Sequence, residues 1–141
     1  METVQFLNKV SLFQGLNKKQ LDQLGSWLVR RTYKAGQNIV EQGKGGEGFF
    51  IIVTGKAEAT RVKADGSKAV VNTFGPTDYF GELALLDDGI RTATVAATED
   101  LECLVLVRWD FLAKLETNAD MAVKILQELA RRFRQTLDAT M

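Results

Sequence analysis

Ten of the 12 glycines in this 141-residue chain lie between Gly36 and Gly89, where they punctuate short β-branched and aromatic runs. That spacing is the signature of a compact all-β body built from short strands and tight turns. Strands are expected near residues 29–34, 38–41, 48–54, 56–63, 68–74, 92–98 and 101–108. Ala64-Asp65-Gly66-Ser67 is the clearest hairpin turn, because Asp-Gly accepts the backbone angles of a two-residue connection. Gly75-Pro76-Thr77-Asp78 closes the fifth strand and holds the only proline. Further on, Ala93, Val95 and Ala97 alternate with Thr92, Thr94 and Ala96, as a strand with one inward face should. The small inward residues leave space, read as a ligand cavity rather than close packing against large neighbours such as Phe49 and Phe50.

Both ends of the chain change period. Val4, Leu7 and Val10 recur at helical spacing with Phe6 beside them, so a short amphipathic helix opens the chain. Leu16-Asn17-Lys18-Lys19-Gln20-Leu21 reads as a second helix start. Asn17 is its cap, Gln20 reaches back, and Leu16 staples against Leu21. Leu21, Leu24, Trp27 and Leu28 give that helix its buried face. After the strands, residues 109–116 form one short helix, and Asn118 caps another. Met121, Ile125, Leu129, Phe133 and Leu137 of that last helix fall four apart on an expected buried stripe.

Composition narrows the chemistry. Histidine is absent, which removes the commonest general base, the commonest metal ligand and every Ser-His or Cys-His pair, so the chain is expected to be no enzyme and to hold no metal or cofactor. The 18 basic and 18 acidic residues balance, without the footprint of a nucleic-acid-binding protein. Cys103 is the single cysteine and sits in an apolar run, which predicts a buried thiol and fits a reducing compartment. No signal peptide is evident, and the longest apolar runs are too short to span a bilayer, so a cytoplasmic protein without membrane contact is expected. The run from Gly43 to Gly48 suggests a phosphate loop but lacks its Gly-Lys-Ser/Thr ending and following helix, so it reads as a turn.

One segment stands out chemically. Phe80-Gly81-Glu82-Leu83-Ala84-Leu85-Leu86 is followed by the polar Asp87-Asp88-Gly89-Ile90 and then by Arg91-Thr92-Ala93-Thr94-Val95. A glycine and an acid precede a short helical turn whose first N–H groups lack internal partners, and Arg91 adds a planar fork of donors suited to phosphate. A ligand carrying one phosphate and one hydroxyl would be held at both ends. The bland alternative is a buried turn in which Glu82 and Arg91 pair with each other.

The spacing from Gly81-Glu82 to Arg91-Thr92-Ala93 resembles the phosphate-binding cassette of cyclic-nucleotide-binding domains, found in the catabolite activator family, kinase regulatory subunits and gated channels. The resemblance runs along nearly the whole chain. It implies a mainly β fold with flanking α elements: an eight-stranded jelly-roll β barrel with an N-terminal helical pair and C-terminal helices. The expected organisation is a single domain over 1–141, with a helical layer at 1–28, the barrel at 29–108 holding the cassette at 80–93, and C-terminal helices at 109–139. The resemblance also implies roles. Arg91 takes the cyclic phosphate, Glu82 accepts the ribose 2′-hydroxyl, and the backbone N–H groups of Leu83, Ala84 and Ala93 complete the phosphate nest. Gly81 lets the backbone approach the sugar. Glu82 would also repel the extra charge of a linear nucleotide. Arg131, Arg132 or Phe133 could stack over the base as a lid, although a solvated basic flank explains the arginines equally.

Thr92 bears on base choice without deciding it; cyclic AMP ranks first, cyclic GMP second, and a cyclic pyrimidine nucleotide stays open. The leading expectation is a ligand-sensing regulatory module in which nucleotide closes the C-terminal helix. Partners would be the nucleotide and a homodimer mate or effector. As written, the chain has no room for a helix-turn-helix reader and no direct nucleic-acid contact, unless it is the sensor part of a longer transcription regulator, kinase or channel. A small phosphoesterase using Glu82 with Asp87 or Asp88 is the enzymatic alternative.

Overall fold

The computed structural model describes residues 3–45, 47–87 and 89–140. It separates into a β unit of residues 28–111 and a helical unit of residues 3–27 and 112–140. Among the described residues, no helix is long and apolar enough to cross a membrane.

The β unit holds eight strands: β1 (Val29–Tyr33), β2 (Asn38–Val40), β3 (Gly48–Thr54), β4 (Ala57–Val62), β5 (Lys68–Phe74), β6 (Tyr79–Phe80), β7 (Thr94–Ala97) and β8 (Leu101–Val107). They form two four-stranded antiparallel sheets, ordered β1-β8-β3-β6 and β2-β7-β4-β5. The expected eight-stranded, mainly β architecture with terminal helices is therefore present, with its strands divided between two sheets. Alternation builds the core. Phe50 and Ile52 of β3, Ala57 and Ala59 of β4, Val95 and Ala97 of β7, and Leu101, Cys103 and Val105 of β8 all point into one buried cluster. The small residues of β7 thus serve close packing. Burial pushes the Cys103 thiol up to about 11, in keeping with an inert core position.

Periodicity did not reveal β6, because a two-residue strand has no period to read. Aromatic contacts hold it. The Phe80 ring stacks on Phe50 with centroids 5.0 Å apart and tilts against Phe74 at 5.2 Å, while Tyr79 lies 5.4 Å from Phe49. β7 begins at Thr94, two residues later than expected, since Thr92 and Ala93 remain outside the ladder.

The helical unit contains α1 (Thr3–Leu7), a 3-10 turn (Ser11–Phe13), α2 (Lys18–Ser26) and α4 (Ala119–Thr140); α3 (Arg108–Leu115) is where the chain passes from one unit to the other. The capping box of α2 forms as the sequence implies. Asn17 Oδ1 accepts the Gln20 N–H at 2.8 Å, and Gln20 Oε1 accepts the Asn17 N–H at 3.0 Å. Gln20 then donates through Nε2 to Asp120 Oδ2 at 2.6 Å, tying α2 to the start of α4. Of the expected helical face, Leu21 and Leu24 are buried, and Trp27 and Leu28 are half-buried.

The stripe on α4 fails beyond its first half. Met121 and Ile125 are buried, but Phe133 is 65% exposed and Leu137 43% exposed. A strict four-residue step rotates about 40° around a helix each time, so a stripe with that spacing drifts off the packed face within three steps. Glu128 takes a buried place instead, with its carboxylate engaged by Arg131.

The turn before β6 is strained. Thr77 has φ 75°, a left-handed conformation that β-branched residues rarely adopt, and it follows Pro76 in a turn closed by the Asp78 N–H donating to the Gly75 carbonyl at 3.0 Å. Thr77→Gly should therefore stabilise the protein by about 1 kcal/mol, read as a raised midpoint in denaturant unfolding. An unchanged or lowered midpoint would show that Thr77 is not strained in the folded chain.

Candidate functional site

Phe80, fixed by its aromatic neighbours, delivers the chain into Gly81, whose φ of 86° lies in the left-handed region. Gly81 caps a short 3-10 turn, Glu82–Leu85. The turn buries Ala84 and Leu85, leaves Glu82 half-buried and turns Leu83 outward at 51% exposure. The Ala84 N–H donates to the Gly81 carbonyl at 3.1 Å.

Arg91 is held from three directions. Its Nη2 donates to the Gly48 carbonyl at 2.6 Å. Its own N–H donates to the Lys44 carbonyl at 2.8 Å, and its carbonyl accepts the Gly43 N–H at 2.9 Å. A bridge between Gly45 and Ile90 extends that pairing. The guanidinium also fills the space beside Gly81: a Cβ there would meet Arg91 Nη1 and the Gly48 carbonyl oxygen, each at 2.6 Å. Gly48 is equally constrained, since a Cβ on it would lie 2.0 Å from the Leu106 carbonyl oxygen of β8. Only glycine permits this close passage of two backbones and a guanidinium.

Burial lowers the Arg91 pKa from its ordinary value, while the carboxylates of Glu47 and Asp87 oppose that shift. Arg91 stays cationic regardless. Its Nε is buried without a hydrogen-bond partner, and it makes no ion pair among the described residues. Glu47 is committed to Arg31 instead.

These elements surround a recess of about 440 Å³ lined by Gly81, Glu82, Leu83, Ala84, Asp87, Gly89, Ile90, Arg91 and Thr92. Six of the seven cassette residues singled out from sequence are brought together here. Ala93 is not in the lining; it packs against the core of the β unit. Thr92 is exposed, and its carbonyl accepts the Arg61 Nε–H at 3.1 Å. Arg131, Arg132 and Phe133 belong to α4 in the helical unit, where Arg131 is engaged by Glu128. Asp88 lies outside the described residues.

Sequence reasoning missed Gly48 and the Gly43-Lys44-Gly45 backbone as the groups that hold Arg91, and Arg61 as the donor to the Thr92 carbonyl. The glycine run from Gly43 was visible as a turn, but nothing local indicated that it pairs with Arg91. A second recess of about 460 Å³, lined by Thr32, Tyr33, Lys34, Gln37, Thr54, Asp100, Leu101 and Glu102, lacks such a cation; its Lys34 lies 3.7 Å from Asp100.

Residues 30–118 match the family described as the cyclic nucleotide-binding domain. A cyclic AMP receptor protein of Thermus thermophilus is 36% identical over 88% of this chain, and the chain spans 57% of that protein. The N-terminal domain of a transcriptional regulator from Streptomyces coelicolor superposes with a TM-score of 0.86 at 31% identity, over 99% of this chain and 95% of the other. The regulatory domain of Toxoplasma gondii PKA in complex with cAMP gives 0.72 at 25% identity, over 94% and 49%. With its cassette, its two sheets and this match, the chain belongs to the cyclic nucleotide-binding domain family.

Proposed function

We propose that the chain is a non-catalytic sensor that takes a 3′,5′-cyclic nucleotide, cyclic AMP first and cyclic GMP second, into the recess beside Arg91. The observation that carries this reading is a half-buried guanidinium held by the Gly48 carbonyl and left without an ion pair among the described residues. Such a cation gains most from an anion of matching shape, and a cyclic phosphate offers one negative charge and oxygens in fork geometry. Glu82 lines the same recess, and on this reading it accepts the ribose 2′-hydroxyl. Leu83 and Ile90, both largely exposed, would give the sugar an apolar wall.

The backbone nest needs one adjustment. The Ala84 N–H already donates within the turn, so it would have to share or exchange that bond to reach phosphate. Ala93 would contribute through its N–H alone, since its side chain packs on the core. The preference for cyclic AMP rests on relatives whose names carry it, and Thr92 leaves cyclic GMP open.

Regulation is assigned to α4. Nucleotide would favour a state in which this helix supplies the base lid, and Phe133 suits that role as an exposed aromatic, with Arg132 beside it. The output would be that of a longer transcription regulator, kinase or channel.

Thermal unfolding against cyclic AMP, GMP, UMP and CMP tests the sensor. A bound nucleotide at about 100 times its Kd stabilises the native state by roughly 2.7 kcal/mol. No shift with any of them would refute the reading. In calorimetric titration, Arg91→Ala should cost about 2 to 5 kcal/mol of binding and Glu82→Gln about 1 to 3 kcal/mol. Retention of full affinity by Arg91→Ala would overturn the pose.

A homodimer mate is the partner that α4 favours. Val123, Leu126, Ala130, Phe133 and Leu137 are exposed at alternating three- and four-residue steps, the seam of a two-stranded coiled coil. Leu126→Glu should convert a dimer to monomer in sedimentation velocity while the β unit keeps its fold. A wild-type chain that sediments as a monomer at micromolar concentrations would exclude this partner.

A further inference from the structure

Asp87 lines the recess with Arg91 and Glu82, and the roles assigned above leave it without one. Its Oδ1 accepts the Gly89 N–H at 3.1 Å, which holds the carboxylate at the turn on the recess wall. The lining therefore sets two carboxylates against one guanidinium. A cyclic phosphate is a diester with a single negative charge. A 5′-phosphomonoester carries nearly two at neutral pH, since its second ionisation lies near pH 6, as for other phosphomonoesters. Arg91 balances the first charge, and a second charge meets the two lining carboxylates, Asp87 and Glu82, with Arg61, held at the Thr92 carbonyl, the next guanidinium outside the lining.

We infer that Asp87 is a specificity-determining residue, a charge filter that admits the phosphodiester monoanion and penalises the phosphomonoester dianion. The inference rests on the cyclic-nucleotide reading of the recess. Glu82 is reserved for the ribose and half-buried, whereas Asp87 is exposed and has no role in that reading. Its effect acts through the field, in proportion to ligand charge, and is weakened by solvent and salt. Asp87 lines the same recess as Arg91 and its carboxylate opposes the lowering of the Arg91 pKa, so the two side chains share one electrostatic environment. A discrimination of about three- to tenfold is the size expected of one exposed charge.

The test compares dissociation constants for cyclic AMP and 5′-AMP at pH 7.5 and low salt. Wild type is set beside Asp87→Asn, Asp87→Ser and Asp87→Glu. Asparagine keeps Oδ1 as the acceptor for the Gly89 N–H, and serine provides a second neutral side chain of turn-forming type. Expected is a tightening of 5′-AMP, relative to cyclic AMP, by about three- to tenfold in both neutral variants. The wild-type ratio should persist in Asp87→Glu, and the gain should shrink at high salt. An unchanged ratio in both neutral variants that still bind cyclic AMP overturns the filter and leaves the sensor reading standing. So does 5′-AMP binding that stays undetectable in every variant. A wild-type chain that binds neither nucleotide overturns both.

Discussion

The placement of one guanidinium organises the β unit around the cassette. Arg91 sits at the start of the segment entering β7, yet the groups that fix it come from the 43–48 loop and from the glycine at the head of a 3-10 turn. Its main chain is paired with Gly43 and Lys44, so the direction of the side chain is set before any ligand arrives. The side chain can be drawn inward only because Gly81 carries no Cβ at the point of closest approach, while Gly48, whose carbonyl receives it, needs the same freedom against the backbone of β8. Holding a partly desolvated cation costs free energy, and here a carbonyl at 2.6 Å offsets part of that cost. What is left uncompensated is an invitation to an anion.

The second requirement is that Gly81 arrive at the right depth. β6 contributes two residues of pairing to β3, too little to hold a loop by itself. The aromatic group of Phe50, Phe74 and Phe80 does that instead, converting core packing into the position of the cassette. The Thr77 turn feeds β6 and is tied to β3 by the Thr77 N–H donating to the Ile52 carbonyl at 2.9 Å. Strain at Thr77 is thus accepted to bring the chain back onto β3 at the correct register.

Local patterns were legible, and long-range ones were not. The Asn17 to Gln20 box, the inward alternation on β7 and the cassette spacing each depend on residues a few positions apart, and each appears in the structure. β6 was too short for periodicity. The α4 stripe was misread because four-residue spacing was taken as equivalent to a helical face, and the drift exposes Phe133 and Leu137. Gly48 and Lys44 stand 43 and 47 residues from Arg91, and nothing in either residue's neighbourhood announces the partner. Asp87 looked like one acid of a polar turn, and only its place on the recess wall brought it into the electrostatics of Arg91.

The division of labour between the units bears on how a sensor of this kind could switch. On the proposed reading, every group that meets the phosphate and ribose belongs to the β unit. Contacts that are present whether or not α4 has moved stabilise both states equally, and a ligand shifts an equilibrium only through its differential affinity. On that reading, phosphate capture by Arg91 would contribute affinity without driving the transition. The driving contacts would then be those made by the part of the ligand that projects beyond the cassette, the base. On the proposed reading, loss of Arg91 would abolish binding, whereas loss of the exposed ring of Phe133 would leave binding largely intact and silence the response.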